Sequence, residues 1–283
     1  MSHPQPFRAA GLLGWPVAHS RSRLLHLWWL RQYGINGDYV PMPVRPGQLE
    51  VALRGLIALG FSGCNVTVPH KQEAARLVDH LDPLARRLEA VNLIRVGTDG
   101  SLFGTSTDGY GFMQNLRDVK SDWRADAGPV VVMGAGGSAH SILPSLLDEG
   151  AVEIRLVNRT RERAEELAAH LGPRVRVCAW SEREEALEGA SLLVNTTSLG
   201  MAGAAPLPLR LEALPLDALV YDLNYNPLCT PLLAAAAARG NPVVDGLGML
   251  LHQARPSFQA WFDVLPDITP ELRRALEASL EGK

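Results

Sequence analysis

Val130-Val131-Val132-Met133-Gly134-Ala135-Gly136-Gly137-Ser138-Ala139 is the stretch whose reading decides the fold. Four apolar residues predict a buried strand, the glycine run a tight turn, and the residues beyond it a helix. Gly134 permits the turn, Gly136 lets backbone approach a pyrophosphate, and Ala139 in the third place allows a helix to pack closely on the strand. Free N–H groups and the dipole at the helix start favour negative charge there. The string alone also fits a plain tight turn. Set between a strand and a helix, it marks Gly134, Gly136, Gly137, Ser138 and Ala139 as a dinucleotide-phosphate site.

Around this stretch, strands are expected at Val130–Met133, Glu153–Val157, Val175–Cys178, Leu192–Asn195, Ala218–Asp222 and Pro242–Asp245, most of them separated by helices. Six strands with such crossovers match a doubly wound nucleotide-binding sheet. The second strand ends in Asn158-Arg159-Thr160, with Arg163 one helical turn on. A site selecting NAD usually places Asp or Glu here for the ribose 2′-hydroxyl, whereas the 2′-phosphate of NADP needs cation and hydroxyl donors. In the plainer reading, Arg159 and Arg163 form a solvated helix start and pair with Glu162, Glu165 or Glu166. A cation at a helix start opposes the dipole, which favours the NADP reading.

Upstream, Ala10–Leu13, Asp38–Val44 and Cys64–Val68 read as strands. Between them lie helices Leu24–Tyr33, ended by Gly34, and Gln48–Leu59, ended by Gly60. This is β-α-β-α-β punctuation and predicts a parallel sheet covered by helices. Val91–Val96 and Leu102–Thr105 form a hairpin around Gly97-Thr98-Asp99-Gly100, and a helix runs from Asp108 to Arg117. The polar, aperiodic stretch 118–128 is the expected boundary. Helical patterns at Met249–Phe262 and Pro270–Leu280 have no strand after them, so they are expected to pack back on the first domain. The domains are then 1–117 with 247–283, and 118–246.

A length of 283 residues suits two domains, and 47% hydrophobic against 20% charged residues is the mix of a globular chain with a real core. With 27 Lys+Arg against 30 Asp+Glu the formal charge is −3, so no general field draws in nucleic acid or an anionic membrane. No apolar run reaches the ~20 residues of a membrane span, and Met1–Pro6 lacks a secretory pattern; a cytoplasmic location is expected. Cys64, Cys178 and Cys229 are too scattered for a disulfide framework or zinc, and no histidine cluster suggests a metal. No motif specifies the oligomeric state, and a homodimer is compatible with the chain.

Polar residues at expected strand ends are the candidates for small-molecule chemistry. Ser20 and Ser22, in the loop Gly14–Ser22 between strand and helix, could bind a carboxylate, although Ser22 also fits a plain helix N-cap. A strand ending in Pro69 presents Thr67 and Lys71 near its carboxyl edge, where ligands of α/β sheets bind; a lysine there could protonate a ketone oxygen as hydride arrives at carbon. In isolation it also fits a surface lysine. Asn92 and Asp108 complete the set, Asp108 also fitting a simple helix start.

Gly14-Trp-Pro-Val-Ala-His-Ser20-Arg-Ser22, Asn65-Val-Thr67-Val-Pro69-His-Lys71, Ala90-Val-Asn92, Ser106-Thr-Asp108-Gly-Tyr-Gly111-Phe112, the Gly134–Ala139 and Asn158–Thr160 runs, Asn195-Thr-Thr-Ser-Leu-Gly200-Met201, Tyr225-Asn-Pro227 and Gly246-Leu-Gly248-Met249-Leu250 with Gln253-Ala254 resemble shikimate dehydrogenases in order and spacing. The resemblance covers nearly the whole chain. It implies a mainly parallel α/β/α substrate domain, a Rossmann-type NADP domain, and C-terminal helices returning to the first. The implied activity is NADPH-dependent reduction of 3-dehydroshikimate to shikimate in aromatic amino-acid (chorismate) biosynthesis. Ser20, Ser22 and Thr67 would meet the carboxylate, and Lys71, Asn92, Asp108 and Gln253 the ring hydroxyls, with Lys71 and Asp108 as the catalytic pair. Tyr225, Met201, Gly246 and Met249 fall where the family lines the nicotinamide end, Tyr225 being assigned to substrate.

The chain departs from the family pattern at Arg23 (usually Pro), Leu93 (usually Thr) and Ser106 (usually Asn), which bears on the finer substrate contacts. A quinate/shikimate dehydrogenase and a non-catalytic NADPH-binding regulator are the rival readings.

Overall fold

The protein is described from a computed structural model covering residues 6–18 and 20–281; Met1–Gln5, His19 of the Gly14–Ser22 loop, Gly282 and Lys283 lie outside the described residues. The chain divides into two compact units, Met1–Asp108 with Leu251–Gly282, and Gly109–Leu250.

In the first unit the order is β1 (Arg8–Gly14), α1 (Ser22–Gln32), β2 (Gly37–Pro43), α2 (Leu49–Ala58), β3 (Gly63–Val66), α3 (Lys71–Leu77), β4 (His80–Leu81), α4 (Pro83–Leu88), β5 (Leu93–Val96) and β6 (Leu102–Thr105). They build a six-stranded sheet in the order β2-β1-β3-β5-β6-β4. β1 pairs in parallel with β2 and β3, as the β-α-β-α-β punctuation predicts. The expected hairpin then adds β5 antiparallel to β3 and β6 antiparallel to β5, so the sheet is mixed at that side. Leu13, Leu49, Leu53, Leu56, Cys64, Val66 and Ile94 form its buried core.

The second unit holds most of α5 (Asp108–Val119), then β7 (Val130–Met133), α6 (Gly137–Asp148), β8 (Ile154–Val157), α7 (Arg161–Leu171), β9 (Val175–Cys178), β10 (Leu192–Asn195), β11 (Leu219–Asp222), α8 (Pro231–Arg239) and β12 (Val243–Val244). All six strands are parallel, in the order β12-β11-β10-β7-β8-β9, which is the doubly wound arrangement expected. Their uninterrupted apolar character follows from helices on both faces. Val130 and Val132 join one core with α5 and α6, while Val131 and Met133 join another with α8.

α9 (Leu247–Phe262) and α10 (Pro270–Glu281) close the chain. From Leu251 onward this segment belongs to the first unit. Phe258, Trp261 and Phe262 pack on Trp29, Tyr39 and His26 in one aromatic cluster. Trp29 Nε1 donates to Asp267 O at 3.0 Å, and Trp261 Nε1 to Ile94 O at 2.9 Å, so each buried indole N–H is satisfied.

The units exchange chain inside α5 and α9, at 108/109 and 250/251, rather than at the polar stretch 118–128 and at 246/247. The cause is packing. Phe112, Met113 and Leu116 belong to the second unit's core, Phe112 stacks on Tyr221 at 4.7 Å, and Asn115 Nδ2 donates to Tyr221 Oη at 2.7 Å.

Candidate active site and cofactor cradle

In the first unit, the loops and helix starts beyond the strands bring Lys71, Asn92, Thr107, Asp108 and Gln253 together. Lys71 opens α3, and its carbonyl accepts from Val91 N at 3.0 Å, which ties it to the segment carrying Asn92. Its Nζ donates to Asp108 Oδ2 at 2.5 Å. Asp108 Oδ1 accepts from Asn92 Nδ2 at 2.7 Å. Asn92 Oδ1 in turn accepts from Thr107 N at 2.8 Å, and Thr107 Oγ1 donates to Gln253 O at 2.9 Å. Both carboxylate oxygens thus face donors, the arrangement of an ionised carboxylate that holds an ammonium in place. The Lys71 side chain keeps 23% exposure against 11% for Asp108, so the ammonium is the member open to a ligand.

Ser20 and Ser22 form a second grouping. Ser22 is the first residue of α1 and not its cap; the cap is Arg21, with no side-chain capping bond. Ser20 Oγ accepts from Ser22 N at 3.2 Å and lies 3.1 Å from Ser22 Oγ. A carboxylate here would meet hydroxyls and a helix start that has no acidic residue in its first turn. Thr67 follows β3 closely: its N donates to Leu13 O at 2.8 Å, and a Cβ on Gly14 would sit 2.4 Å from its methyl, so glycine is needed there. Deeper in the same unit Tyr39 Oη donates to Asn65 Oδ1 at 2.9 Å. Asn65 Nδ2 then reaches Asn92 O at 3.0 Å and Ser257 Oγ at 2.9 Å. His70 is structural, its Nε2 lying 2.7 Å from Val44 O.

In the second unit, Gly134 has φ +106°, and a Cβ would sit 2.6 Å from Thr196 Oγ1. Gly136 caps α6 without a side-chain bond, and open space lies over Gly136 and Gly137. These two and Ser138 are exposed, whereas Ala139 is buried against the strand layer. Asn158 links this turn to the end of β8, accepting from Ala135 N at 3.2 Å and donating to Thr160 O at 2.7 Å. Thr160 precedes α7 but makes no capping bond. Glu165 pairs with Arg161 at 2.7 Å, and among the described residues neither Arg159 nor Arg163 has a carboxylate partner. Two free cations, an uncapped threonine and uncovered N–H groups at a helix start fit the 2′-phosphate and pyrophosphate of NADP.

Met201 is exposed in the loop after β10, Tyr225 half-buried after β11, Gly246 buried after β12, and Met249 half-buried in the first turn of α9, all within the second unit. The loop bearing Met201 is fastened through Asp222, a fully buried carboxylate that the sequence reading passed over. Asp222 accepts from Thr230 Oγ1 at 2.7 Å, Asn224 N at 3.0 Å and Asn195 Nδ2 at 3.1 Å, while Asn224 Nδ2 holds the Thr197 and Leu199 carbonyls. Burial pushes its carboxyl up, and the three donors oppose that shift. Tyr39, Asn65 and Thr107 were likewise not singled out. A carboxylate closing the apolar run Leu219–Asp222, and a tyrosine inside a strand needing a partner for its hydroxyl, were the available signals.

Of the departures, Arg23 pairs with Asp38 at 3.3 Å. Leu93 lines a recess with His80, Phe103 and Ala260, on the side of the chain opposite Asn92. Nothing in the structure gives Ser106 a particular role. Among the described residues no helix is long and apolar enough to cross a membrane, and no group of three His, Cys, Asp or Glu could hold a metal.

Residues 12–94 match the family described as the shikimate dehydrogenase substrate binding domain, and residues 119–201 the family described as shikimate / quinate 5-dehydrogenase. The chain is 57% identical over 266 residues to the shikimate dehydrogenase (NADP(+)) of Paramagnetospirillum magneticum, covering 94% of this chain and 96% of the relative. Among solved structures it resembles shikimate 5-dehydrogenase from Thermus thermophilus in complex with NADP(H) and shikimate, at TM-score 0.85 and 33% identity over 96% of this chain and 99% of that one. It also resembles quinate dehydrogenase from Corynebacterium glutamicum in complex with NAD, at TM-score 0.89 and 28% identity over 96% and 100%. By these matches along nearly its full length, the chain belongs to the shikimate dehydrogenase family.

Proposed function

We propose that this protein is an NADP-dependent shikimate dehydrogenase, reversibly reducing 3-dehydroshikimate to shikimate in aromatic amino-acid biosynthesis. The observation that carries the reading is the Lys71 ammonium held 2.5 Å from Asp108, whose other oxygen is held by Asn92. Ser20, Ser22 and Thr67 hold the substrate carboxylate, Asn92 and Gln253 the ring hydroxyls, and Tyr225 adds a further substrate contact. Gly134, Gly136, Gly137, Ser138 and Ala139 form the pyrophosphate turn. Asn158, Arg159, Thr160 and Arg163 hold the 2′-phosphate, and Met201, Gly246 and Met249 serve the nicotinamide end.

Bound NADPH supplies a hydride to the carbonyl carbon. Charge then grows on the carbonyl oxygen, where Lys71 stabilises it and gives up a proton from Nζ. Asp108 keeps that ammonium aimed, and in the reverse direction Lys71 takes the hydroxyl proton. A purely NADPH-binding regulator would have no use for this pair. A cytoplasmic setting agrees with Cys64, Cys178 and Cys229 being free thiols.

The second reading, a broader quinate/shikimate dehydrogenase, draws on the likeness to quinate dehydrogenase. Quinate carries an extra hydroxyl on the carbon bearing its carboxylate, and a buried hydroxyl without a partner costs ~1–3 kcal/mol. Oxidation of shikimate and quinate, each with NADP and with NAD and followed at the reduced nicotinamide absorbance, tests both readings. Shikimate with NADP is expected to lead, with kcat/KM at least about tenfold above quinate. Equal efficiency with the two acids transfers the assignment to the second reading.

A further inference from the structure

Asp222 closes β11 fully buried, and among the described residues no cation is paired with it. The directions of the hydrogen bonds around it are fixed. Asn195 Oδ1 accepts from Thr197 N at 3.0 Å and Asn195 Nδ2 donates to Leu199 O at 3.1 Å, so the amide nitrogen is what faces Asp222 Oδ1. Thr230 Oγ1 accepts from Leu233 N at 3.3 Å, which leaves its own proton for Asp222 Oδ2 at 2.7 Å. The third partner, Asn224 N at 3.0 Å, can only donate. Three hydrogens therefore point at the carboxyl group, and among the described residues no acceptor waits for a proton of its own. Such a shell holds an anion.

The place of this anion in the sheet gives it a use. The 2′-phosphate donors follow β8, on one side of β7 and its glycine turn, so the other half of a dinucleotide lies over the ends of β10 and β11. Asn195 ends β10 and Asp222 ends β11. Asp222 Oδ2 is 3.9 Å from the point a Cβ on Gly200 would occupy, directly behind the loop that carries Met201. A nicotinamide ring is cationic when oxidised and neutral when reduced. We infer that Asp222 is a positioning residue whose fixed negative charge also favours the oxidised coenzyme over the reduced one. The same charge eases hydride departure during ketone reduction, when the ring turns cationic. This rests on the coenzyme assignment of the proposed function.

The test measures the Kd of NADPH by fluorescence and that of the oxidised coenzyme by displacement, without substrate, for the parent, Asp222→Asn and Asp222→Glu. Unit charges ~10 Å apart at an effective dielectric of ~20 attract by about tenfold in affinity, so Asp222→Asn is expected to raise the ratio of oxidised to reduced Kd roughly 3–15-fold. Asp222→Glu keeps the charge and should hold the parent's ratio, even where both affinities fall. A carboxylate that only tethers the loop would weaken both forms alike. An unchanged ratio in Asp222→Asn, or an equal shift in Asp222→Glu, overturns the inference and leaves the coenzyme assignment standing. A parent that binds neither form takes both down together. Should the amide variant not fold, Asp222→Ser, also neutral, gives the same reading.

Discussion

The two polar regions are built by opposite means. In the first unit Lys71, Asn92, Thr107, Asp108 and Gln253 come from distant segments and act through side chains that hold one another. In the second unit the cradle is one short piece of chain: Gly134 turns at φ +106°, Gly136 and Gly137 leave their surroundings open, and α6 begins uncapped. A side-chain site depends on each partner. A backbone site tolerates most single substitutions and fails mainly where a side chain intrudes or where its charged clamp is lost.

The largest expected effect therefore falls on the first unit. Lys71→Met should lower kcat by ~10²–10⁴, the usual worth of general acid–base help, with NADPH affinity by fluorescence titration nearly unchanged. A variant with near-normal kcat would break the comparison at its root, since the mutually held side chains would then be structural.

The clamp of the second unit gives the next effect. Replacing both Arg159 and Arg163 by Ala should raise KM for NADPH roughly 10–100-fold while leaving KM for NADH nearly where it was, because only the former carries the 2′-phosphate. Equal weakening of the two coenzymes would make these arginines ordinary surface residues, despite their having no carboxylate partner among the described residues.

The same contrast governs what could be read before the fold was known. The cradle was legible because Val130–Ala139 is contiguous and its chemistry is local: strand, turn and helix follow from neighbouring residues. Strands of the doubly wound sheet were legible as short apolar runs for the same reason. The first unit's cluster was not, since each member alone fits a plain role and only the resemblance grouped them. Tyr39–Asn65–Asn92 was invisible because strand register, which places residues 26 and 27 positions apart in contact, is set by the whole sheet. The unit boundary was displaced by tertiary packing: the polar stretch 118–128 looks like a linker, but α5 ahead of it has an apolar face that belongs to the second unit.

The smallest expected effect separates the units by pH. His26 is fully buried, stacked on Tyr39 at 4.0 Å, with no hydrogen-bond partner for either ring nitrogen among the described residues, and burial lowers its pKa from 6.5 to about 3. The folded ring therefore stays neutral while the unfolded one takes up a proton below 6.5. Its contribution is complete above pH 6.5 and drains away as pH falls toward 3, with a slope approaching ~1.4 kcal/mol per unit. Asp222 in the second unit has the opposite sign: its folded pKa is raised by burial, so its contribution is present below the ordinary carboxylate value and is lost as pH rises through the raised one. Denaturant unfolding of the parent, His26→Phe and Asp222→Asn at pH 7.5 and 5.0 reads both. The parent is expected to lose about 2 kcal/mol more than His26→Phe between these pH values, the linkage expected of one such histidine. Asp222→Asn should not remove that loss, because acid does not weaken its surroundings. If His26→Phe keeps the parent's full acid slope, the histidine is not the acid-sensitive element, and the first unit is no more labile to acid than the second.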